Sequence, residues 1–283
     1  MNKDSKILIV GLGMIGASYA EKLHNCGWYV GGISARQSTV DTALKEGIIN
    51  CGTIDVTKEF VERFDIVVFA LYPKLFIDWI EKYQSYFKSG VIITDVTGVK
   101  GAVVSRIQDM LRPDVEFIAA HPMAGRETSG IGSRNPKVFE GANYIITPTA
   151  KNTQKAIDTA GEIGRELGFG QISTLTPEEH DEMIAFLSQL THCIAVSLMC
   201  SKDSKHLVDY TGDSFRDLTR IANINENMWP ELFLLNKDEL LSQMDLFESE
   251  FDRLKKAIAE SDEATIKQMM ITSTERRKLF NKK

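Results

Sequence analysis

Lys6-Ile7-Leu8-Ile9-Val10-Gly11-Leu12-Gly13-Met14-Ile15-Gly16 is the stretch on which the fold turns. A short aliphatic run enters three glycines at G-x-G-x-x-G spacing, and residues 17–26 continue with helical composition. Strand, glycine loop and helix in that order form the context in which this motif binds a dinucleotide. Gly11 permits the tight turn, Gly13 lets backbone approach a pyrophosphate, and Gly16 allows the helix to lie close to the strand. The helix N-terminus, at Met14 and Ile15, faces the phosphate charge. A second strand over residues 28–33 follows at the spacing of a βαβ unit.

That second strand ends in Ile33-Ser34-Ala35-Arg36-Gln37-Ser38-Thr39, without the carboxylate that usually grips a ribose 2′-hydroxyl. Ser34 stands where an NAD site wants an acid. Arg36 and Ser38 just beyond it offer a guanidinium and a hydroxyl to a 2′-phosphate, so the reading favours NADP over NAD. The plainer alternative is a solvated arginine in a turn.

Further apolar runs at residues 65–71, 91–94 and 115–120 read as buried parallel strands. The loops after them, at Tyr72-Pro73, Asp95 to Lys100 and His121 onward, are expected to open into the same crevice as Gly11. Thr97 and Lys100 are candidates there, although a lysine at a helix start is commonly a surface residue. His121-Pro122-Met123-Ala124-Gly125-Arg126-Glu127 brings an imidazole, a guanidinium and a carboxylate within seven residues, a dense polar supply for a loop leaving a buried strand. Strands at 142–147 and 171–175, with a helix at 153–167 between them, are expected to extend the sheet.

The composition changes at Thr176. Thr176-Pro177-Glu178-Glu179 is a helix start, with a threonine cap, proline at the first helical position and glutamate at the third. Apolar positions Met183, Phe186, Leu187, Leu190, Ile194 and Leu198 run around much of the following helix, which predicts the buried central helix of an all-α domain. His180, Asp181, Ser188, Gln189, Thr191 and His192 are its polar positions. Farther on, Leu240, Met244, Phe247, Phe251, Leu254 and Ile258 alternate four and three apart, a heptad seam that must bury against another helix of this chain or of a second subunit. The expected architecture is an α/β Rossmann-type parallel sheet over residues 1–175, followed by an all-α substrate and dimerisation domain over 176–283.

Composition narrows the partners. Lys plus Arg at 33 against Asp plus Glu at 39 gives a formal charge of -6, which favours neither nucleic acid nor an anionic membrane. The four cysteines show no C-x-x-C pairing and read as free thiols of a reducing compartment, with no structural metal implied. Without an apolar signal core at the N-terminus or an apparent run of membrane-spanning length, a cytoplasmic protein is expected.

Taken together, these motifs resemble those of the prephenate dehydrogenases and the related arogenate dehydrogenases of tyrosine biosynthesis, over nearly the whole chain. Residues 11–18 are similar to the family's nucleotide loop, Asp95 to Lys100 to its second signature, and His121 to Gly125 with Glu127 to its catalytic signature. Thr176-Pro177 with His180-Asp181, residues 188–192, residues 215–220 and Met228-Trp229 follow in family order. The resemblance implies an NADP- or NAD-dependent oxidative decarboxylation of prephenate to 4-hydroxyphenylpyruvate, or of arogenate to tyrosine, by a homodimer.

It further implies that His121 hydrogen-bonds the ring C4 hydroxyl, that Arg220 holds the ring carboxylate, and that His192, Glu127 and Gln189 line the substrate pocket. Gly98 replaces the family's usual serine in the second signature, and Thr97 is the nearest hydroxyl that would stand in as a catalytic group. The family's Ser-His-Leu-Pro-His motif reads Ser188-Gln189-Leu190-Thr191-His192 here. A monofunctional enzyme is expected. The competing classes are an NADP-dependent β-hydroxyacid dehydrogenase or imine reductase, and a nucleotide-sensing protein without catalysis.

Overall fold

The structure is a computed structural model that describes residues 3–125, 128–203 and 205–280. Six parallel strands form the main sheet, namely β1 (Lys6–Val10), β2 (Tyr29–Ile33), β3 (Cys51–Thr53), β4 (Ile66–Phe69), β5 (Ile92–Asp95) and β6 (Glu116–Phe117). Their order is β3-β2-β1-β4-β5-β6. The strand order reverses between β1 and β4, and the loops leaving those two strands frame the crevice where such sheets bind ligands. The edge strand β3 escapes notice in the sequence because Cys51-Gly52-Thr53 has neither length nor apolar character.

The aliphatic runs stay apolar at every position because the sheet is covered on both faces. Successive side chains point to opposite sides, so Ile7 and Ile9 join one buried cluster with Tyr19, Leu23 and Ile163. Leu8 and Val10 join the other, with Phe69, Phe76, Trp79 and Val103. Helices Met14–Asn25 and Gln154–Leu167 therefore cover one face, and Pro73–Tyr83 and Gly101–Met110 the other.

The expectation for residues 115–175 needs correction. The apolar run at 115–120 is two strands, because the chain leaves the main sheet after Phe117 and re-forms as β7 (Ala119–Pro122) in a second sheet. There β7 pairs antiparallel with β8 (Asn143–Thr147), and β8 pairs parallel with β9 (Gln171–Thr174). These strands build a separate three-stranded sheet instead of extending the first. His121 consequently lies inside an antiparallel strand, opposite Ile145, and not at the end of a parallel one. An apolar run cannot reveal such a split, since burial on both sides of the break keeps it continuous.

The helix from Pro177 to Cys200 begins with the expected capping box, Thr176 and Glu179 bonding reciprocally. A π-helical turn at Ala185–Leu190 interrupts it. At 24 residues, with an 18-residue window of mean hydropathy 1.7, it is by length and composition apolar enough to cross a bilayer, contrary to the expectation from sequence. It is also far less buried than expected, with only 28% of its apolar window covered, and Phe186 is 54% exposed. A helix apolar all round implies cover on all sides, and in the single chain that cover is incomplete.

Contacts divide the chain into two compact units, Met1–Asn236 and Lys237–Lys283. Residues 177–236 thus belong to the same compact unit as the sheets. The second unit is a pair of helices, Lys237–Ala259 and Glu263–Lys278, the latter capped by Asp262 through Thr265 N at 3.0 Å. Of the heptad seam, Phe247, Phe251 and Ile258 are exposed.

Candidate active site

The glycine loop meets each geometric demand placed on it. Gly11 has a φ of +97°, and a Cβ there would stand 2.4 Å from Ala70 O. A Cβ on Gly16 would stand 1.8 Å from Gly11 O, so only glycine lets this helix close on the strand. Around Gly13 nothing lies within 4 Å of a Cβ, which leaves the backbone open to a ligand. Met14 begins the helix, and its first turn carries no acid to oppose phosphate. Chain and motif therefore fit a dinucleotide pyrophosphate.

Ser34 follows β2 directly and is half-buried, while Arg36 and Ser38 are exposed. Arg36 caps the helix Gln37–Lys45, and its N–H lies 3.5 Å from Ser34 Oγ. No acid occupies this strand end. Across the crevice Pro73 opens the helix Pro73–Tyr83, and the Tyr72 hydroxyl accepts a hydrogen bond from Asn225 Nδ2 at 2.9 Å. A residue of the helical segment thereby braces the cofactor loop.

Between this crevice and β7 lies a buried polar cluster that the sequence reading did not anticipate. Lys100 and Asp95 form an ion pair at 2.7 Å with both side chains 0% exposed. Each also takes one backbone group of Ala120: Asp95 Oδ1 accepts from Ala120 N at 3.0 Å, and Lys100 Nζ donates to Ala120 O at 2.7 Å. These two side chains satisfy the strand edge that β7 exposes where it leaves the main sheet. Lys100 is therefore neither a surface lysine nor a substrate ligand. Burial lowers its pKa, and the Asp95 carboxylate opposes that shift. The signal was an acid at the end of an apolar strand with a lysine five residues later, but sequence alone does not fold them together.

Thr97 is drawn into the same cluster. Its N–H donates to Asp95 Oδ2 at 3.0 Å, and its hydroxyl contacts that carboxylate and Val99 O. Buried and committed, it does not stand in for a serine at position 98. A Cβ on Gly98 would lie 3.8 Å from His121 Nε2 and 3.6 Å from Leu232 Cδ1, ordinary contact distances. Position 98, not 97, faces the imidazole.

His121 is half-buried, and its Nδ1 lies 2.9 Å from Nε2 of His180. His180 Nδ1 in turn lies 2.8 Å from Asp181 Oδ1. The Asp181 carboxylate accepts the N–H groups of Lys100 at 2.8 Å and Gly101 at 2.7 Å. A strand, one loop and one helix start thus converge on a His-His-Asp chain. Burial, reinforced by His180 and Lys100, holds His121 well below the ordinary imidazole range. Burial also lowers His180, against the pull of Asp181.

Gln189, expected to line the substrate pocket, is turned inward. Its Nε2 donates to Leu232 O at 3.0 Å and its Oε1 accepts from Asn236 at 2.8 Å. It ties the π-helical turn to the helix Trp229–Leu235, with both ends of the amide occupied. His192 stacks on Trp229 with ring centroids 3.8 Å apart, and its Nδ1 lies 2.8 Å from Ser188 O. Arg220 is exposed at the start of the turn Arg220–Ala222, which packs against the helix Thr191–Cys200 that carries His192. Glu127 lies outside the described residues.

This arrangement has counterparts. Residues 19–173 match the model of the prephenate dehydrogenase nucleotide-binding domain, and residues 176–272 that of the prephenate dehydrogenase dimerization domain. The prephenate dehydrogenase of Bacillus subtilis is 30% identical over 265 residues, covering 90% of this chain and 71% of that protein. A solved prephenate dehydrogenase from Aquifex aeolicus, in complex with hydroxyphenyl propionate and NAD⁺, is 28% identical with a TM-score of 0.88, covering 97% of this chain and 98% of that one. Synechocystis arogenate dehydrogenase is 25% identical with a TM-score of 0.83, covering 98% and 100%. With both family models matched in order across most of its length and a relative 30% identical, the chain belongs to the prephenate dehydrogenase family.

Proposed function

We propose that this protein oxidatively decarboxylates prephenate to 4-hydroxyphenylpyruvate, with arogenate as the second substrate to be tested. The observation that carries the reading is His121, an imidazole held below its ordinary pKa, with Nδ1 engaged by His180 and Nε2 facing Gly98. A neutral imidazole there accepts the C4 hydroxyl proton as the C4 carbonyl develops. The nicotinamide cofactor, held by the Gly11 to Gly16 loop, supplies the hydride acceptor. As the ring carboxylate leaves as CO₂, its bonding electron pair flows through the ring to the C4 oxygen, and His121 returns the proton to that oxygen. Atoms and charge balance without any further oxidant. Arg220, on the turn beside His192, supplies a guanidinium for a substrate carboxylate.

Assaying the purified protein with prephenate and with arogenate, each with NAD⁺ and with NADP⁺, tests the proposal. Turnover of prephenate supports it. Turnover of arogenate alone shifts the substrate, and turnover of neither returns the chain to a nucleotide-binding role.

The cofactor reading extends to a 2′-phosphate, on the strength of Ser34 in place of an acid and Arg36 beside it. Arg36→Ala is expected to raise the KM for NADP⁺ on the order of tenfold to a hundredfold, the worth of a charged hydrogen bond, and to leave the KM for NAD⁺ within a few-fold. A wild-type protein that prefers NAD⁺ tenfold or more would overturn this reading, and the bound NAD⁺ of the Aquifex aeolicus enzyme makes that the outcome to check first.

The helical part is read as the homodimer interface. Phe186 and Leu198 on one helix, and Phe251 and Ile258 on another, are exposed large apolar side chains in the single chain. Covering such surface is favourable at about 25 cal/mol per Å². Sedimentation at micromolar concentration is expected to give a dimer, and a clean monomer would refute this.

A further inference from the structure

The His121-His180-Asp181 chain has a direction, and the direction decides which nitrogen of His121 is available. Asp181 accepts backbone N–H groups on both oxygens, from Lys100 and Gly101, so it acts as a carboxylate acceptor and has no proton to give. The His180 nitrogen beside it, Nδ1 at 2.8 Å, must then carry the hydrogen. A neutral imidazole protonated on Nδ1 presents a lone pair on Nε2. That lone pair faces His121 Nδ1 at 2.9 Å, so the hydrogen between the rings belongs to His121 Nδ1. His121 Nε2 is left bare, on the side that faces Gly98.

We infer that His180 and Asp181 are positioning residues that hold neutral His121 in the Nδ1–H tautomer, so that Nε2 is the proton acceptor before substrate arrives. The inference deepens the proposed function and rests on it for its catalytic meaning. The geometry also shows why the chain is buried. His180 is 0% exposed and Asp181 6%, so water does not compete for either nitrogen of His180. When Nε2 takes a proton, the new positive charge on His121 is shared through Nδ1–H toward His180 and the Asp181 carboxylate. Among the described residues, the charged groups acting on the pair are Asp181, Lys100 and Asp95, and the latter two neutralise one another. Asp181 therefore supplies the net negative charge of the surroundings. Its anchor is Lys100 N and Gly101 N, which follow closely on Gly98, so the segment that holds Asp181 also faces His121 Nε2.

The sequence offers His180 and Asp181 only as polar residues in the first turns of an apolar helix. The second, independent observation is the capping box at Thr176, which fixes where that helix starts and hence which face carries His180.

The test is nitrogen NMR on full-length protein labelled with ¹⁵N in histidine. The chain has five histidines, and His121 is assigned by the signals lost in His121→Ala. In the wild type at neutral pH, His121 Nδ1 is expected at the shift of a protonated ring nitrogen and Nε2 at that of a bare one. His180→Gln, whose amide oxygen can accept from Nδ1–H, is expected to preserve this pattern and keep kcat within about tenfold of wild type. His180→Leu removes the acceptor. It is expected to mix the tautomers and lower kcat on the order of 10²- to 10⁴-fold with KM changed only a few-fold, as when a catalytic imidazole loses the group that orients it.

A wild-type His121 protonated on Nε2, or a His180→Leu variant with unchanged tautomer and turnover, would overturn the inference. The wild-type measurement requires no substitution, so misfolding of a variant cannot obscure it. It also stands apart from the substrate assignment. A protein that turns over neither prephenate nor arogenate yet shows the Nδ1–H tautomer would refute the proposed function and leave the relay intact.

Discussion

His121→Ala is expected to lower kcat by roughly 10²- to 10⁴-fold, the usual range for a lost general base, with cofactor affinity near wild type. The side chain lies on β7 and faces Gly98, whereas the glycine loop that holds the cofactor follows β1. Arg220→Ala should differ in kind. If its exposed guanidinium binds a carboxylate equally in ground and transition states, its loss should appear mainly in KM, as for a uniform binding interaction. Turnover within a few-fold of wild type in both variants would reduce His121 to an ordinary strand residue.

The same histidine sets the pH dependence. A base works in its neutral form, and burial with His180 and Lys100 nearby lowers the pKa of His121 from the ordinary 6.5. The acid limb of kcat/KM should therefore fall below pH 6.5, and a limb at or above that value would contradict the environment described for this ring. Stability follows the same sign. An unfolded chain protonates its histidines as pH falls through 6.5, while folded His121 resists, so the unfolded state binds more protons and stability declines as pH falls below that value.

Lys100→Met is expected to cost about 3–5 kcal/mol in unfolding free energy, the penalty for leaving one partner of a buried ion pair uncompensated. Asp95 would remain 0% exposed with its positive partner gone, and Ala120 O would lose its donor. The double variant Lys100→Met with Asp95→Asn should recover part of that loss, because the buried unpaired charge is then removed as well. Denaturant unfolding of the three variants would measure this. A loss under about 1 kcal/mol for Lys100→Met, the worth of a surface pair, would mean the pair is solvated in solution and does not hold β7.

A large effect at Lys100 with a normal Arg36→Ala would also show how differently two basic residues after strands of one sheet act. One has its charge enclosed and holds backbone. The other projects into solvent at the end of β2.

The sequence by itself determined the cofactor half of the protein. The run from Lys6 to Gly16 states the strand, the turn and the close helix approach through residues adjacent in the chain. The requirement at Gly16 is local, since a Cβ there collides with Gly11 O five residues back, and Gly11 needs its left-handed φ of +97° for the turn, although its clash with Ala70 O comes from the tertiary fold. The Thr176 capping box was legible for the same reason, since its partners are three residues apart.

The catalytic half was decided by tertiary structure. The break between β6 and β7 leaves no mark in an apolar run, because Phe117, Ile118 and Ala119 are buried on either side of it. Only the fold shows that Ala120 needs two side-chain partners and that Asp95 and Lys100 provide them. Thr97 and Gln189 were read as functional from their chemistry, yet both spend their polar atoms on buried neighbours. Sequence lists which groups a residue carries, whereas burial decides which of them remain unsatisfied. His121 and His180 are 59 positions apart, and their 2.9 Å contact exists because a helix start and a strand of the second sheet meet over the loop that leaves β5 of the first.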